Sequence, residues 1–263
     1  MEQNPIRVID SGSGGLTILT SLRKLMPGES YVYVGDHAHI PYGKKSTQYI
    51  RNRVIKIISY LISRKVKLIV IACNTATVAG IDYFRTHFPD IPIIGVVPVV
   101  KTAASVSKTC RFIVLSTQFT ATSPYERQLI TKFASHCHVR SETSSRLVPL
   151  IESGKLESRN VNTELRRMLK RFHEDNYDTI VLGCTHYPFV KPVIHAIVGK
   201  KAIILDSGPA VARQVWRILK NRNDESHGTY SYTEYITTGN AEKVAETFRI
   251  LLSSNVIVKH VDI

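Results

Sequence analysis

The sequence has few cysteines and no long apolar run, and these absences exclude several classes of protein. Four cysteines in 263 residues are too few for a disulfide-dense secreted scaffold, and the Cys-x-x-Cys pair of a thioredoxin-like site does not occur. The longest apolar runs, such as Leu68–Cys73, are too short to span a bilayer. No basic segment followed by an apolar stretch opens the chain, so we expect no signal peptide. These features predict a soluble, cytoplasmic protein whose four cysteines are thiols in a reducing compartment.

The composition is that of an ordinary globular chain with an excess of positive charge. Hydrophobic residues make up 43% and charged residues 21%, which allows a core of normal size without disulfides or metals. The formal net charge of +14 raises the prospect of a polyanionic partner such as nucleic acid. The charges are dispersed, however, and no basic block contains interleaved aromatics, so nucleic-acid binding is the less favoured interpretation. The densest stretches resemble solvated faces or ends of helices: Arg64-Lys65 with Lys67, Arg166-Arg167 with Lys170-Arg171, and Lys220 with Arg222.

Short apolar runs alternate with helical patterns along the chain, which predicts an α/β fold. Most runs are continuously apolar rather than alternating, as is typical of parallel strands covered on both faces. The predicted strands are 6–9, 31–34, 68–71, 92–96, 112–115, 179–182 and 202–205, and the predicted helices include 16–26, 48–64, 75–88 and 125–133.

Two pairs of segments indicate an internal duplication. Ile9-Asp10-Ser11-Gly12 recurs as Leu205-Asp206-Ser207-Gly208, and the run that ends at Cys73 recurs loosely as the run that ends at Cys184. Each cysteine follows an apolar run and precedes a predicted helix. Ligands of open α/β sheets gather outside the carboxyl ends of the strands, so two related halves could each offer a cysteine there.

The cysteine pair suggests proton transfer. A lone cysteine after a buried strand is more often a small core residue. A helix N-terminus, however, favours a thiolate and also binds carboxylates, and two thiols on opposite faces of a carbon could exchange a proton across it. His186 could hold or shuttle the proton of Cys184. Asp10 could do the same for Cys73 or bind an ammonium group, or it could be only a helix N-cap.

Other motifs point to weaker interpretations. The glycine-rich turn at Gly12 fits neither the dinucleotide fingerprint nor the P-loop, although its backbone N–H groups could grip a carboxylate. Pro41-Tyr42-Gly43 is a turn that could line a ligand site or be merely a turn. The clusters His37-x-His39 and His136-Cys137-His138 lack the spacing of a structural zinc site, so we expect no metal.

Five short motifs, in order along the chain, resemble those of bacterial glutamate racemases in the aspartate/glutamate racemase superfamily. Leu150-Ile151-Glu152 and Thr237-Thr238-Gly239-Asn240 are also similar to family positions, so the resemblance covers nearly the whole chain. Pro41-Tyr42-Gly43 favours the glutamate branch. The five motifs are Asp10–Thr17, Gly35-Asp36 with Pro41–Lys44, Ala72–Ala76, Gly183–Pro188 and Asp206–Gly208.

The resemblance implies two pseudo-symmetric α/β domains, each a mostly parallel sheet flanked by helices, with the active site in the cleft between them. We expect residues 1–97 with 207–263 to form the domain of Cys73, and residues 98–206 to form the domain of Cys184. The implied reaction interconverts L- and D-glutamate without pyridoxal phosphate, metal or nucleotide, and it would supply D-glutamate for peptidoglycan synthesis.

Site residues follow from the same resemblance. Cys73 is expected to be the base for D-glutamate and Cys184 the base for L-glutamate, with Asp10 and His186 assisting. The residues expected to bind substrate are Asp10, Ser11, Tyr42, Gly43, Asn74, Thr75, Thr185, His186 and, from its position in the family, Glu152.

Some questions stay open at this point. The family usually has a small or hydroxylated residue where His37 stands, so the edge of that loop could differ here. Aspartate differs from glutamate by one methylene, which a pocket discriminates by only about 1–3 kcal/mol, so the sequence does not settle the substrate. A homodimer is one of the assemblies that the sequence leaves open.

Overall fold

The computed structural model describes residues 4–226 and 231–263 of the chain. The chain divides into two compact units, Met1–Val96 with Gly208–Ile263, and Val97–Ser207. Unit 1 denotes the first and unit 2 the second. Within the described ranges, no helix has both the length and the apolar character that crossing a membrane requires.

Unit 1 is built on a six-stranded parallel sheet with strand order β10-β9-β2-β1-β3-β4. The central strands are buried on both faces, which is why they read as continuous apolar runs. The strands are β1 (Ile6–Asp10), β2 (Tyr31–Gly35), β3 (Leu68–Ile71), β4 (Ile93–Gly95), β9 (Thr233–Thr237) and β10 (Val258–His260).

Amphipathic helices flank this sheet and bury their apolar faces against it. In the first helix, buried leucine and isoleucine residues recur at helical spacing, while Arg23 and Lys24 lie in its last turn. The helices of unit 1 are α1 (Leu16–Leu25), α2 (Thr47–Ile62), α3 (Asn74–His87), α11 (Gly208–Asn221) and α12 (Ala241–Leu252).

The glycine-rich turn between β1 and α1 packs closely on the sheet. A Cβ at Gly15 would lie 2.8 Å from the Cβ of Asp10 and 3.0 Å from that of Ala72, so a larger residue would push the turn away. The buried hydroxyl of Tyr33 donates to the carbonyl of Gly12 at 2.6 Å. These contacts hold the turn against the carboxyl end of β1.

Unit 2 is built on a four-stranded parallel sheet with strand order β6-β5-β7-β8. Phe112, Val114 and Val181 form the core on one face, packed under residues of α4 and α6. The strands are β5 (Arg111–Ser116), β6 (His138–Thr143), β7 (Thr179–Leu182) and β8 (Ile203–Asp206); the helices are α4 (Val100–Val106), α5 (Gln118–Ala121), α6 (Pro124–Ala134), α7 (Leu147–Glu152), α8 (Arg159–Met168), α9 (Arg171–Glu174) and α10 (Lys191–Val198).

The predicted α/β class, with parallel sheets flanked by helices, is confirmed, and all seven predicted strands are present. The sequence analysis missed β6, β9 and β10. Of these, β6 and β10 are edge strands, and all three carry polar or charged residues where the other strands are apolar. Strand recognition therefore followed continuous apolar sequence, and it succeeded for the apolar edge strands β4 and β8 as well.

The prediction that all four cysteines are thiols is wrong for two of them. Cys110 and Cys137 form a disulfide, while Cys73 and Cys184 do not take part in one. Cys110 directly precedes β5 and Cys137 directly precedes β6, and the register pairs Arg111 with His138. Parallel pairing therefore brings the two sulfurs together at the amino edge of the sheet. The 27-residue separation in sequence gives no indication of this contact.

Lys67 also departs from its predicted place on a solvated helix end. Its ammonium group is buried and donates to the carboxylate of Glu29 at 2.9 Å. Glu29 also accepts the backbone N–H of Ser226 at 2.7 Å. This ion pair lies at the amino edge of the unit 1 sheet, just before β2 and β3.

Candidate active site

Polar side chains of unit 1 gather at the carboxyl edge of its sheet. Asp10 is the last residue of β1, Asp36 directly follows β2, and Cys73 lies two residues after β3. Asp10, Asp36 and Cys73 are all buried, as are Ser11, Asn74 and Thr75. Adjacent parallel strands end at the same edge, which brings together residues that are far apart in sequence.

The thiol of Cys73 is held at the start of helix α3. Cys73 is the N-cap residue, and its Sγ accepts the backbone N–H of Ala76 at 3.5 Å. The same Sγ lies 3.6 Å from the hydroxyl oxygen of Ser11. Unpaired N–H groups and the dipole at a helix N-terminus favour a thiolate. This geometry suits a base.

Asp10 is not a helix N-cap. The cap position of α1 is Gly15, which makes no side-chain capping bond, whereas the Asp10 carboxylate accepts the backbone N–H of Gly12 at 2.8 Å. That bond closes the turn locally. It leaves the two alternatives in which Asp10 assists Cys73 or binds an ammonium group.

The remaining predicted residues of unit 1 lie on two segments. Asn74 and Thr75 begin α3, and the amide of Asn74 donates to the carbonyl of Val96 at 3.5 Å. Tyr42 and Gly43 belong to a short 3₁₀ turn, Tyr42–Lys44, that follows a cis peptide bond before Pro41. Tyr42 is buried and Gly43 is partly exposed.

A buried charged network, which the sequence analysis did not single out, supports the Tyr42 segment. The carboxylate of Asp36 accepts the Tyr42 hydroxyl at 2.6 Å and two bonds from the guanidinium of Arg53, at 2.7 and 3.1 Å. Burial raises the pKa of Asp36, but the hydrogen bonds from Arg53, Tyr42 and Thr238 outweigh it, so this pKa lies below its ordinary value. The available signal was the position of Asp36 directly after a strand.

His37 contacts the glycine-rich turn. Its Nε2 lies 3.1 Å from the hydroxyl of Ser13, and its Nδ1 lies 2.9 Å from the hydroxyl of Thr237. The imidazole therefore links this turn to the end of β9.

In unit 2, a second thiol lies in a similar position after a central strand. Cys184 follows β7 by two residues and is buried. Its Sγ lies 3.8 Å from Nδ1 of His186, and Nε2 of His186 lies 2.6 Å from a carboxylate oxygen of Glu152 at the end of α7. Thr185, between the two, is also buried. The carboxylate, imidazole and thiol thus form a chain.

The charge on His186 follows from its partners. Burial lowers the pKa of His186, but the hydrogen bonds to Cys184 and Glu152 and the charges of both groups raise it well above its ordinary value. These partners favour the protonated form of the imidazole. A cation next to a thiol favours the thiolate.

The helix expected immediately after Cys184 is absent. A short 3₁₀ turn, Tyr187–Val190, follows instead, and α10 begins only at Lys191. Pro188 and Pro192 stand at the starts of these two segments. Proline lacks the backbone N–H group that a continuous helix would use, so the chain forms two separate segments here. Cys184 therefore has an imidazole where Cys73 has a helix N-terminus.

The two histidine clusters of the sequence have different surroundings in the structure. His37 and His39 point to different partners, since His39 Nδ1 lies 2.9 Å from Asp36. In the part of the chain that the structure describes, one group of three residues has metal-ligand spacing: Cys110, His136 and Cys137. Its two sulfurs are bonded to each other in the disulfide.

Comparison with known proteins agrees with the geometry. The model of the Asp/Glu/Hydantoin racemase family matches residues 16–215, about three quarters of the chain. The chain belongs to this family. The resemblance seen in the motifs is thereby confirmed, and the protein is an isomerase of the racemase class.

Individual relatives extend the match to the full length of the chain. The glutamate racemase of Pseudomonas paraeruginosa is 38% identical over 262 residues, which cover 100% of this chain and 99% of the relative. Among solved structures, a glutamate racemase isoform of Bacillus anthracis has a TM-score of 0.92 at 27% identity, covering 100% and 99% of the two chains. The glutamate racemase of Francisella tularensis, solved in complex with D-glutamate, has a TM-score of 0.86 at 28% identity, covering 100% and 98%.

Proposed function

We propose that this racemase interconverts L- and D-glutamate by two-base proton transfer between Cys73 and Cys184. The observation that carries the proposal is the pair of thiols: both are buried, both lie outside the disulfide, and each follows the carboxyl end of a buried parallel strand. The relatives that match this chain over its full length are glutamate racemases, and that of Francisella tularensis binds D-glutamate. This favours glutamate over aspartate.

Inversion at Cα requires a base on one face and an acid on the other. In one direction the Cys73 thiolate takes the α-proton of D-glutamate: the Cα–H bond breaks and an S–H bond forms. The Cys184 thiol then gives its proton to the opposite face, which yields L-glutamate and a Cys184 thiolate. The reverse direction uses Cys184 as the base. No electron is lost or gained, so the two thiols supply the chemistry without a redox cofactor.

The two thiols receive different assistance in this proposal. For Cys73, the N–H of Ala76 and the hydroxyl of Ser11 stabilise the thiolate, while Asp10 assists proton transfer or binds the α-ammonium group. For Cys184, the cationic His186 stabilises the thiolate. Glu152 was expected to bind substrate. Because its carboxylate faces Nε2 of His186 at 2.6 Å, we assign it instead to orienting that imidazole.

The substrate-binding residues remain those expected from the family: Ser11, Tyr42, Gly43, Asn74, Thr75, Thr185 and His186. Hydroxyl, amide and backbone N–H groups at helix starts are typical ligands of carboxylates. In the cell, the reaction would take place in the cytoplasm and supply D-glutamate for peptidoglycan synthesis. Complementation of a D-glutamate auxotroph would test this role, and failure by an active, well-expressed enzyme would contradict it.

The first experiment follows the optical activity of D-glutamate with purified, reduced protein and no added cofactor. A parallel reaction contains D-aspartate, and a third contains D-glutamate with a metal chelator. We expect loss of optical activity with glutamate, unaffected by the chelator, and little change with aspartate. Activity on aspartate alone would correct the substrate, and inhibition by the chelator would contradict the cofactor-independent mechanism. Inactivity on both substrates would overturn the proposal.

A further inference from the structure

We propose that Asp36 is a positioning residue of the racemase: it fixes Tyr42 and the turn that carries Gly43 beside Cys73. This inference rests on the proposed function and adds to it a role for Asp36, a motif residue to which the sequence analysis assigned none. Its basis is geometric and lies entirely within unit 1.

The carboxylate of Asp36 is saturated with donors. One oxygen accepts the Tyr42 hydroxyl at 2.6 Å and Nε of Arg53 at 3.1 Å. The other accepts Nη2 of Arg53 at 2.7 Å and the hydroxyl of Thr238 at 2.8 Å, and it lies 2.9 Å from Nδ1 of His39. Asp36 is 0% exposed, so water does not compete for these bonds. Bonds between a buried carboxylate and a guanidinium are among the strongest in proteins.

These bonds join segments that are far apart in sequence. Asp36 follows β2, Arg53 lies on α2, and Thr238 follows β9. The backbone N–H of Asp36 also donates to the carbonyl of Asp10 at 2.9 Å, which connects the network to the end of β1. The short 3₁₀ turn Tyr42–Lys44 is therefore attached through Tyr42 to the Asp36 carboxylate. Asp36 is in turn held by residues on or next to three longer elements.

The position of Tyr42 links this network to the thiol. Burial, the charge and hydrogen bond of Asp36, and the charge of Cys73 together raise the pKa of Tyr42 well above its ordinary value. Tyr42 therefore stays neutral, and it is close enough to Cys73 to interact electrostatically. Because its proton is committed to Asp36, the phenolic oxygen retains only acceptor capacity. Asp36 thus fixes the position of the Tyr42 hydroxyl and leaves it as an acceptor for any further hydrogen bond.

The chain offers a matched control in Glu29. Glu29 lies just before β2 as Asp36 lies just after it, and each buried carboxylate is paired with a buried cation, Lys67 at 2.9 Å and Arg53 at 2.7 Å respectively. Within the described residues, the side chain of Glu29 bonds to Lys67 and to the backbone of Ser226, neither of which is a predicted site residue. Neutralising either carboxylate removes the nearest anionic partner of a buried cation and should destabilise the fold. A purely structural role for Asp36 would therefore make Asp36→Asn and Glu29→Gln behave alike.

The experiment measures kcat and KM for glutamate, together with thermal unfolding, in the full chain. The variants are Asp36→Asn, Tyr42→Phe, the double variant and Glu29→Gln. We expect Asp36→Asn to lower kcat/KM about 10²-fold, since small misplacements of a binding group have effects of that order. The double variant should be no worse than Asp36→Asn alone, because both changes break one contact. Glu29→Gln should unfold at a similarly lowered temperature and keep kcat/KM within about threefold of wild type.

Several outcomes would overturn the positioning role. One is kcat/KM in Asp36→Asn as high as in Glu29→Gln; another is a double variant whose loss equals the product of the two single losses. If Asp36→Asn does not fold, Arg53→Lys decides in the same way, because lysine keeps the charge but not the two-pronged bond. An inactive wild-type chain would instead overturn the proposed function, so the two failures are distinguishable.

Discussion

The two thiols have similar positions in their sheets and different surroundings. Cys73 faces a backbone N–H and a hydroxyl at the start of α3, whereas Cys184 faces an imidazole backed by a carboxylate. The first arrangement stabilises negative charge with fixed dipoles that do not titrate. The second uses a cation whose charge depends on its own proton. Two similar positions thus place a thiol beside two different kinds of group that attract negative charge.

This difference has a kinetic consequence for the proposed reaction. The two enantiomers have equal free energies, so any variant must lower kcat/KM by the same factor in both directions. The rate of net racemisation therefore cannot show which of the two thiols a neighbouring residue assists. The rate at which the α-hydrogen exchanges with deuterated solvent can show this, because a single thiol suffices for exchange.

The largest effect is expected from removing either thiol. Cys73→Ser and Cys184→Ser should each lower racemisation by at least about 10³-fold, since a serine hydroxyl is a far weaker acid than a thiol and is a poor proton-transfer group here. Solvent exchange should become one-sided: Cys73→Ser exchanges L-glutamate, and Cys184→Ser exchanges D-glutamate. Full racemisation by either variant would rule out the two-thiol mechanism.

Next in size is the loss of the imidazole. His186→Asn should lower kcat/KM by about 10²–10³-fold, because the Cys184 thiolate loses its cation. Combined with Cys73→Ser, it should abolish the remaining exchange of L-glutamate. Combined with Cys184→Ser, it should leave the exchange of D-glutamate nearly unchanged. Equal losses in both backgrounds would show that His186 does not serve one thiol in particular.

A smaller effect is expected from the hydroxyl next to Cys73. Ser11→Ala should lower kcat/KM by roughly tenfold, the usual value of one hydrogen bond. The loss of exchange should now appear with D-glutamate in the Cys184→Ser background. If Ser11→Ala instead affects L-glutamate exchange in the Cys73→Ser background, its main role is substrate binding.

The smallest effect concerns stability and extends the comparison to buried carboxyls. Asp36 of unit 1 is paired with a guanidinium, but the carboxyl of Glu126 in unit 2 has hydroxyl partners among the described residues, Ser141 at 2.9 Å and Ser116. Burial raises the pKa of Glu126, and the hydroxyls of Ser141 and Ser116 offset this only in part. A raised carboxyl pKa means that the folded chain binds more protons, so stability falls as pH rises between the unfolded and folded pKa values.

Glu126→Gln removes this pH dependence. The variant should unfold at a temperature close to that of wild type near pH 4 and a few degrees above it near pH 8, as thermal scans at both pH values would show. A difference in Tm that does not change with pH would contradict the raised pKa.

The sequence was most informative where physical constraints are local. Strands covered on both faces, such as β3 and β7, read as continuous apolar runs, and the turn after β1 was recognisable from its glycines. Cys73 and Cys184 stood out because each follows such a run and belongs to a family motif. These features depend on neighbours in sequence, which a single chain displays.

Contacts set by the register of the sheets were not predictable from the sequence. The disulfide depends on β5 and β6 pairing so that Cys110 and Cys137 coincide, and β6 itself is too polar to be recognised. The bond between Asp36 and Arg53 joins a strand end to the middle of a helix. A 3₁₀ turn follows Cys184 where a helix start was expected. This difference depends on two prolines, and their effect became visible only in the backbone conformation.

The four cysteines of this chain form two pairs with different oxidation states. Cys110 and Cys137 are partly exposed but oxidised, and Cys73 and Cys184 are reduced but only 5% and 6% exposed. Two of the four cysteines are therefore thiols, and both are largely covered in the folded protein. A reductant added to protect the proposed catalytic thiols also acts on the more accessible disulfide. Oxidation of Cys73 or Cys184, at the carboxyl edges of their sheets, would lower activity. Oxidation of Cys110 and Cys137, at the amino edge of the unit 2 sheet, would instead stabilise the fold.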